Sequence, residues 1–248
     1  MPQSELSRTV FKTVSEERLV DLARRMIRIP SFFFEEQEVA DFLAGYLANL
    51  GLEVDMMEVE HPWEKGRTTR QPIATLRGSG GGKSLMINGH TDTNVLMSGW
   101  TVDPYEGKLE DGWLWGLGAQ DDKGGLAAAI AGVAAIVDAG VELGGDIIVC
   151  PVAAHKLGGT GTRTALRKGV RADCCINIEH AANTLGTVVT GSVRVSIATT
   201  TPGLFFRFTP EARSKYTNAI ELQADSLGPK VGNGVFSVLQ GEFEFNDF

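Results

Sequence analysis

The segment 84–94, SLMINGHTDTN, decides the fold of this chain. Its first five residues form an apolar run that is typical of a buried β-strand, and His90 and Asp92 follow where that strand ends. Side chains at the end of a parallel strand face the crevice in which α/β proteins bind their ligands. We therefore expect His90 and Asp92 to line such a crevice. Asp92 is expected to accept the second imidazole proton of His90 and so to fix its tautomer.

Comparable strand-end or turn positions further along the chain hold Asp121, His155, Lys156 and Glu179. Because the carboxyl ends of parallel strands meet along one edge of a sheet, these side chains are expected to converge on His90. One imidazole and two carboxylates, from His90, Asp121 and Glu179, form a suitable donor set for Zn²⁺, Mn²⁺ or Co²⁺. Such a set leaves coordination positions open for water and substrate, which is typical of a catalytic metal site. Lys123 is predicted to pair with a nearby carboxylate.

The composition excludes several classes of protein. The chain has 248 residues, 43% of them hydrophobic and 22% charged, with a formal net charge of −8, so a nucleic-acid partner is not expected. No apolar run approaches the ~20 residues that cross a bilayer, and residues 1–17 contain no apolar signal segment. The three cysteines, Cys150, Cys174 and Cys175, are expected to be free thiols in a reducing compartment. These features favour a cytoplasmic protein without membrane contact.

Strands and helices alternate along most of the chain, which predicts an α/β fold: a mostly parallel sheet covered by helices. The segment 13–16 (TVSE) predicts a capping box in which Thr13 begins a helix that Pro30 ends. Further helices are predicted over 35–50, 123–139 and 161–168, and strands over 52–59, 73–77, 84–88, 113–117, 146–154 and 172–179. The pattern changes to β alternation over 187–200, and one more β-like stretch covers 235–245. We therefore predict an α/β domain over 1–190 and a smaller α+β domain over 191–248.

The order of these motifs resembles the family of zinc-dependent aminoacylases, acetylornithine deacetylases, succinyl-diaminopimelate desuccinylases and glutamate carboxypeptidases. The matching patterns are 89–92 (GHTD), 116–125 (GLGAQDDKGG), 158–162 (GGTGT), 177–179 (NIE) and 216–220 (YTNAI). The resemblance implies a metallo-exopeptidase-like catalytic domain, then a lid through which two copies form a homodimer. It also implies that His90 and Glu179 bind one metal, that Asp121 bridges to a second, and that Asp92 supports His90.

The chain departs from this family where two glutamates, a general base and a ligand of the second metal, usually stand. Here the residues are His155 and Lys156. A lysine ammonium has no lone pair for a metal and repels a cation, so we predict a single ion per chain, Zn²⁺ or else Mn²⁺ or Co²⁺. His155, with a reference pKa of about 6.5, is predicted to accept a proton during catalysis. Lys156 is predicted to stabilise developing negative charge.

These residues predict a metal-dependent hydrolase that cleaves an amide or related C–N bond of a small molecule through a metal-activated water. Two alternatives remain open. The chain is a non-catalytic family member that binds a ligand or partner, or it is an inert truncated fragment. In the family, the chain returns from the lid to complete the α/β domain, and nothing after Gly228 resembles that return. The sequence therefore predicts a fragment of a longer protein, or a remnant without part of its sheet.

Overall fold

A computed structural model describes residues 5–179, 194–199, 219–226 and 235–239. The chain divides into two compact units, Met1–Asn183 and Thr184–Phe248. The boundary that we predict between residues 190 and 191 lies outside the described residues and stays a prediction. Most of the lid segment that ends in 216–220 also lies outside the described residues, which include only 219 and 220 of it.

The first unit contains five helices within its described residues: α1 (Glu5–Phe11), α2 (Glu16–Ile27), α3 (Gln37–Asn49), α4 (Gly124–Asp138) and α5 (Thr160–Arg167). The predicted cap of α2 at Thr13 is wrong. Ser15 caps this helix instead, since its Oγ accepts the amide of Arg18 at 3.1 Å. The Thr13 hydroxyl lies 2.7 Å from the carbonyl of Ala135, so it joins this segment to α4. Helix α1 was not predicted.

The strands of the first unit are β1 (Glu53–Glu60), β2 (Thr68–Leu76), β3 (Leu85–His90), β4 (Lys108–Glu110), β5 (Trp113–Trp115), β6 (Ile147–Val152) and β7 (Cys174–Asn177). Five of them form one sheet in the order β1-β2-β6-β3-β7. Strands β6, β3 and β7 are parallel, whereas β1 and β2 run antiparallel to their neighbours. The predicted α/β fold is confirmed, with a parallel centre and an antiparallel hairpin at one edge.

The parallel centre of the sheet brings the predicted site together. Strand β3 lies between β6 and β7, and His90, its last residue, is level with Val152 at the end of β6. Asn88 is level with Asn177, where β7 ends two residues before Glu179. Because all three strands run the same way, the chain segments that follow them emerge along one edge of the sheet.

The core of this unit lies between the sheet and helices α2, α3 and α4. Fully buried side chains from the three helices pack in it, among them Leu22, Leu43, Leu47, Leu126 and Ile130. Burial of each such side chain contributes about 1.5–3 kcal/mol. This packing fixes the positions of β3 and the start of α4, and so of the polar residues at the end of β3 and in the turn before α4.

The turn before β3 crosses the segment before β6 at a backbone contact that leaves no room for a side chain. A Cβ on Gly145 would lie 2.3 Å from the carbonyl oxygen of Lys83, whereas one on Gly132 in α4 would meet nothing within 4 Å. We expect Gly145→Ala to lower the free energy of unfolding by about 1–3 kcal/mol. The matched change Gly132→Ala is expected to raise it by about 0.5–1 kcal/mol, since alanine favours the helix. Urea unfolding of both variants measures these effects, and equal shifts would contradict the crossing.

The second unit has three described strands, β8 (Arg194–Thr199), β9 (Ala219–Ser226) and β10 (Val235–Leu239). They form a sheet in the order β10-β9-β8, with β8 parallel and β10 antiparallel to β9. Strands β8 and β10 fall within the two stretches for which the sequence predicts β structure. Within the described residues of the whole chain, every helix is too short or too polar to span a lipid bilayer.

Candidate metal centre

His90 lies at the centre of the polar cluster, and its ring is 2% exposed. Its Nδ1 is 2.9 Å from the backbone carbonyl oxygen of Asp92. Its Nε2 is 2.8 Å from Oδ1 of Asp121 and 4.0 Å from Oε1 of Glu179. The structure therefore brings each of the two carboxylates that the sequence predicts as ligands, Asp121 and Glu179, to within 4.0 Å of His90 Nε2.

Asp121 lies in the turn that leads into α4, and both of its oxygens have a polar neighbour. While Oδ1 faces His90, Oδ2 accepts a hydrogen bond from the Lys156 ammonium at 2.6 Å. Burial opposes ionisation of Asp121, but the bond and charge of Lys156 outweigh it and lower the pKa of this carboxyl below its ordinary value. Asp121 is therefore an anion paired with a protein cation.

His155 and Lys156 begin a short 3₁₀ turn, His155–Leu157, which is separated from the end of β6 at Val152 by two alanines. The ring of His155 stacks on that of His90, with centroids 4.4 Å apart and planes 6° from parallel. Its Nε2 is 3.1 Å from Oε1 of Glu179. Burial is the main cause that lowers the pKa of His155. At neutral pH its imidazole is thus free to accept a proton.

The Asp92 side chain holds the turn after β6, a role that is not predicted from the sequence. Its buried carboxylate accepts the backbone amides of His155 at 3.0 Å and Lys156 at 2.9 Å. The nearest approach of this carboxylate to Nδ1 of His90 is 3.5 Å, longer than the contact that the Asp92 carbonyl makes. Burial opposes ionisation of Asp92, but the nearby His90 ring and the backbone amides of Lys156 and His155 outweigh it, so the pKa of Asp92 is lowered. Asp92 therefore ties the turn after β6 to the end of β3.

The donor set around His90 fits a cation. A carbonyl oxygen can only accept, so the contact with Asp92 places a hydrogen on Nδ1 of His90 and leaves a lone pair on Nε2 of the neutral ring. That lone pair faces the carboxylates of Asp121 and Glu179, and such a set requires a proton or a metal ion between its members. Two atoms that each lie ~2 Å from one ion are at most ~4 Å apart. The two distances measured from His90 Nε2, 2.8 Å to Asp121 and 4.0 Å to Glu179, satisfy this limit.

His155 is close to this set but is oriented against sharing its ion. Its ring nitrogen, that of His90 and an oxygen of Glu179 all lie within 4.8 Å of one another. However, a metal lies in the plane of each imidazole that binds it, ~2 Å from the nitrogen. Stacked parallel rings are separated by at least ~3.5 Å of van der Waals contact, so one ion cannot lie in both planes. In this arrangement His155 would stand beside an ion held by His90 rather than among its ligands.

Two neighbours of Asp121 are buried. The predicted pairing of Lys123 with a carboxylate is wrong: its ammonium donates to the carbonyls of Met26 and Ile29, at 2.8 Å each. Burial lowers the pKa of Lys123 to about 7. The carboxylate of Asp122 accepts the amide of His90 at 3.3 Å, and burial raises its pKa to about 6. Through these hydrogen bonds Asp122 joins the turn to the end of β3, and Lys123 joins it to the end of α2.

Comparison with known proteins identifies the family. Residues 86–242 match the model of peptidase family M20/M25/M40, and this chain belongs to that family. It is 30% identical, over 195 residues, to the N-formyl-4-amino-5-aminomethyl-2-methylpyrimidine deformylase of Bacillus subtilis strain 168, a match that covers 75% of this chain and 44% of that protein. It is 37% identical, over 127 residues, to the succinyl-diaminopimelate desuccinylase of Gluconacetobacter diazotrophicus, covering 51% of this chain and 32% of the relative.

Solved structures agree on the fold. Human carnosine dipeptidase 1 superposes with a TM-score of 0.57 at 22% identity, covering 68% of this chain and 38% of that one. The aminopeptidase PepT of Bacillus cereus gives a TM-score of 0.55 at 22% identity, covering 67% of this chain and 44% of that one. The chain thus spans less than half the length of each of these relatives.

Proposed function

We propose that this chain carries the metal centre of a hydrolase that cleaves a C–N bond in a small molecule. The observation that supports this most is the approach of His90 Nε2 to Asp121 Oδ1 at 2.8 Å, with the Glu179 carboxylate 4.0 Å away. His90, Asp121 and Glu179 would bind one Zn²⁺, Mn²⁺ or Co²⁺. A divalent ion bound there supplies a Lewis acid that lowers the pKa of water toward ~7.

The remaining polar groups have separate roles in this proposal. His155 accepts the proton that water gives up as it adds to the substrate carbonyl, and the proton passes to the departing amine as the C–N bond breaks. Lys156 neutralises one charge of Asp121 and stabilises negative charge that develops on the carbonyl oxygen. Asp92 fixes both residues by holding their backbone amides.

The names of the relatives support an acyl group on nitrogen as the substrate class. One is a deformylase and the other a desuccinylase, which differ in the acyl group that their names specify. We therefore propose an N-acylated small molecule as the substrate, with no nucleic acid or membrane as partner.

The three cysteines are free thiols, which favours the cytoplasm as the compartment. A homodimer formed through the second unit is proposed from the family resemblance, and light scattering of the purified chain tests it.

The experiment is hydrolysis of N-formyl and N-succinyl amines by the purified chain loaded with Zn²⁺, Mn²⁺ or Co²⁺, with the freed amine measured by mass spectrometry. We expect amine release that chelation abolishes and that restored metal recovers. A Glu179→Ala variant is the control for contaminating hydrolase, and it should release none. Tight metal binding without hydrolysis of any compound would instead favour the second candidate, a non-catalytic member that binds a ligand. The Lys156–Asp121 ion pair favours that candidate, because the Lys156 ammonium binds a carboxylate oxygen that would otherwise be available to a metal ion.

The position of Lys156 predicts the number of ions. Its ammonium lies 2.6 Å from Asp121 and so excludes a second cation there. We expect one Zn²⁺ per chain in the wild type and in Lys156→Gln, which removes the positive charge without adding a carboxylate. Lys156→Glu adds a carboxylate beside Asp121 and is expected to raise uptake toward two. Native mass spectrometry counts the ions, and a second ion in the wild type would refute the proposed exclusion.

A further inference from the structure

Four successive backbone amides, from Ala153 to Lys156, are each held by a side-chain oxygen. The acceptors are Gln71 Oε1 for Ala153 (3.0 Å), Glu36 Oε1 for Ala154 (2.9 Å), and the two oxygens of Asp92 for His155 (3.0 Å) and Lys156 (2.9 Å). Gln71, Glu36 and Asp92 are all 0% exposed. The residues that carry the proposed proton acceptor and the protein cation therefore emerge from a backbone fixed at every amide.

The middle of this segment has an unfavourable backbone conformation. Ala154 has φ of 54°, in the left-handed region, which costs a non-glycine residue about 1–2 kcal/mol. Such a conformation persists only where the surroundings impose it. Glu36 accepts the amide of this same residue, so it acts where the chain turns from β6 toward the metal centre.

Glu36 is a fully buried acid whose carboxyl contacts the turn after β6. It precedes α3 at the position of an N-cap, but its side chain does not cap that helix. Its two oxygens go instead to the amide of Ala154 and to the hydroxyl of Thr69, the latter at 2.8 Å. Burial raises the pKa of Glu36, which shows that the site opposes its charge. Among the described residues no cation pairs with Glu36, and burying such an acid is costly. Its contact with Ala154 leads to the turn that holds His155 and Lys156.

We propose that Glu36 is a positioning residue of the metal centre. By fixing the amide of Ala154, it acts with Asp92 to aim the His155 ring at His90 and the Lys156 ammonium at Asp121. The inference rests on the proposed function for its purpose, because those two side chains are the proposed proton acceptor and cation. The contact by which Glu36 holds the backbone of this turn does not depend on the proposed function.

The test uses the full chain without metal or substrate and reads two rates in the folded state. The first is hydrogen exchange of the amides in a peptide covering 153–157. The second is acetylation of Lys156 by acetic anhydride, measured by peptide mapping. In Glu36→Ala we expect both rates to rise about tenfold, as loss of a buried hydrogen bond implies. Glu36→Gln keeps an acceptor for Ala154 and should restore both rates to within about twofold of wild type.

The matched control is Leu43→Ala, a buried position in α3 that is expected to cost about 2–5 kcal/mol of stability. It destabilises the fold without removing an acceptor from the turn, so Lys156 should be acetylated at the wild-type rate.

If Glu36→Ala does not fold, Thr69→Val is the deciding variant. It removes the hydroxyl that donates to the second carboxylate oxygen of Glu36 and should raise both rates about threefold. Wild-type rates in Glu36→Ala, or in Thr69→Val where that variant decides, would overturn the inference. So would equal acceleration in Leu43→Ala. Neither rate depends on hydrolysis or on a bound ion, so such a failure is distinct from a failure of the proposed function.

Discussion

Replacing His90 with alanine is expected to abolish tight binding of the divalent ion. His90 is the neutral nitrogen donor of the proposed set, and its Nε2 lies within reach of both proposed carboxylate ligands. Loss of a group that merely orients a metal-bound histidine weakens metal binding by about 10–100-fold, so loss of the ligand itself should exceed ~100-fold. Calorimetric titration of the metal-free chain with Zn²⁺ measures the change.

His155→Ala is the matched comparison, because it removes an imidazole that stacks on His90 without sharing its ion. We expect this variant to retain Zn²⁺ with an affinity within about tenfold of wild type. If His155→Ala loses the ion as completely as His90→Ala, the imidazole of His155 coordinates it, and the rings rotate out of their stack on binding. Unchanged affinity in His90→Ala would refute the proposed site.

Replacing Asp92 with alanine is expected to lower the free energy of unfolding by about 3–5 kcal/mol, because it leaves two buried amides without acceptors. These are the amides of His155 and Lys156, and the Asp92 side chain is 0% exposed, so water cannot readily replace it. Urea unfolding of the metal-free protein measures the loss. Using metal-free protein separates the fold from any effect on the ion.

Asp92→Asn serves as the control for this second prediction. The amide side chain has the same size and keeps one acceptor oxygen, so it can hold one of the two backbone amides. We expect it to lose about half as much stability as Asp92→Ala. A loss below about 1 kcal/mol in Asp92→Ala would show that the turn after β6 is held by other contacts.

The sequence predicted two strand ends of this centre well, those before His90 and His155, because hydrophobic patterning determines where a strand lies and where it ends. The strand predicted over 113–117, before Asp121, is not part of the parallel sheet: β5 pairs with β4 in a separate antiparallel sheet, and Asp121 meets His90 from the turn before α4. The apolar run before His90 and the unbroken run before His155 both became central parallel strands, β3 and β6. Parallel strands in register then bring distant residues together without further information. The sheet order and the antiparallel edge were not predictable in this way, since several orders suit the same pattern.

The partners of the buried polar side chains could not be predicted from the hydrophobic pattern of the sequence. Glu36 follows Glu35 at the start of a predicted helix, where an exposed acid is ordinary, and nothing local shows that it reaches Ala154. Lys123 follows two aspartates in sequence, yet its ammonium donates to the carbonyl of Met26 in the last turn of α2 and to that of Ile29 just beyond this helix. Such pairings depend on which backbone groups the tertiary fold leaves without a partner, and this is known only once the elements are packed.

The most direct measurement is anomalous diffraction at the zinc absorption edge from crystals of the chain grown with Zn²⁺. The proposal predicts a single strong peak about 2.0–2.2 Å from a nitrogen of His90 and from oxygens of Asp121 and Glu179, with Lys156 still paired to Asp121. No peak at this cluster, or one bonded to His155 with Asp121 outside its reach, would contradict it.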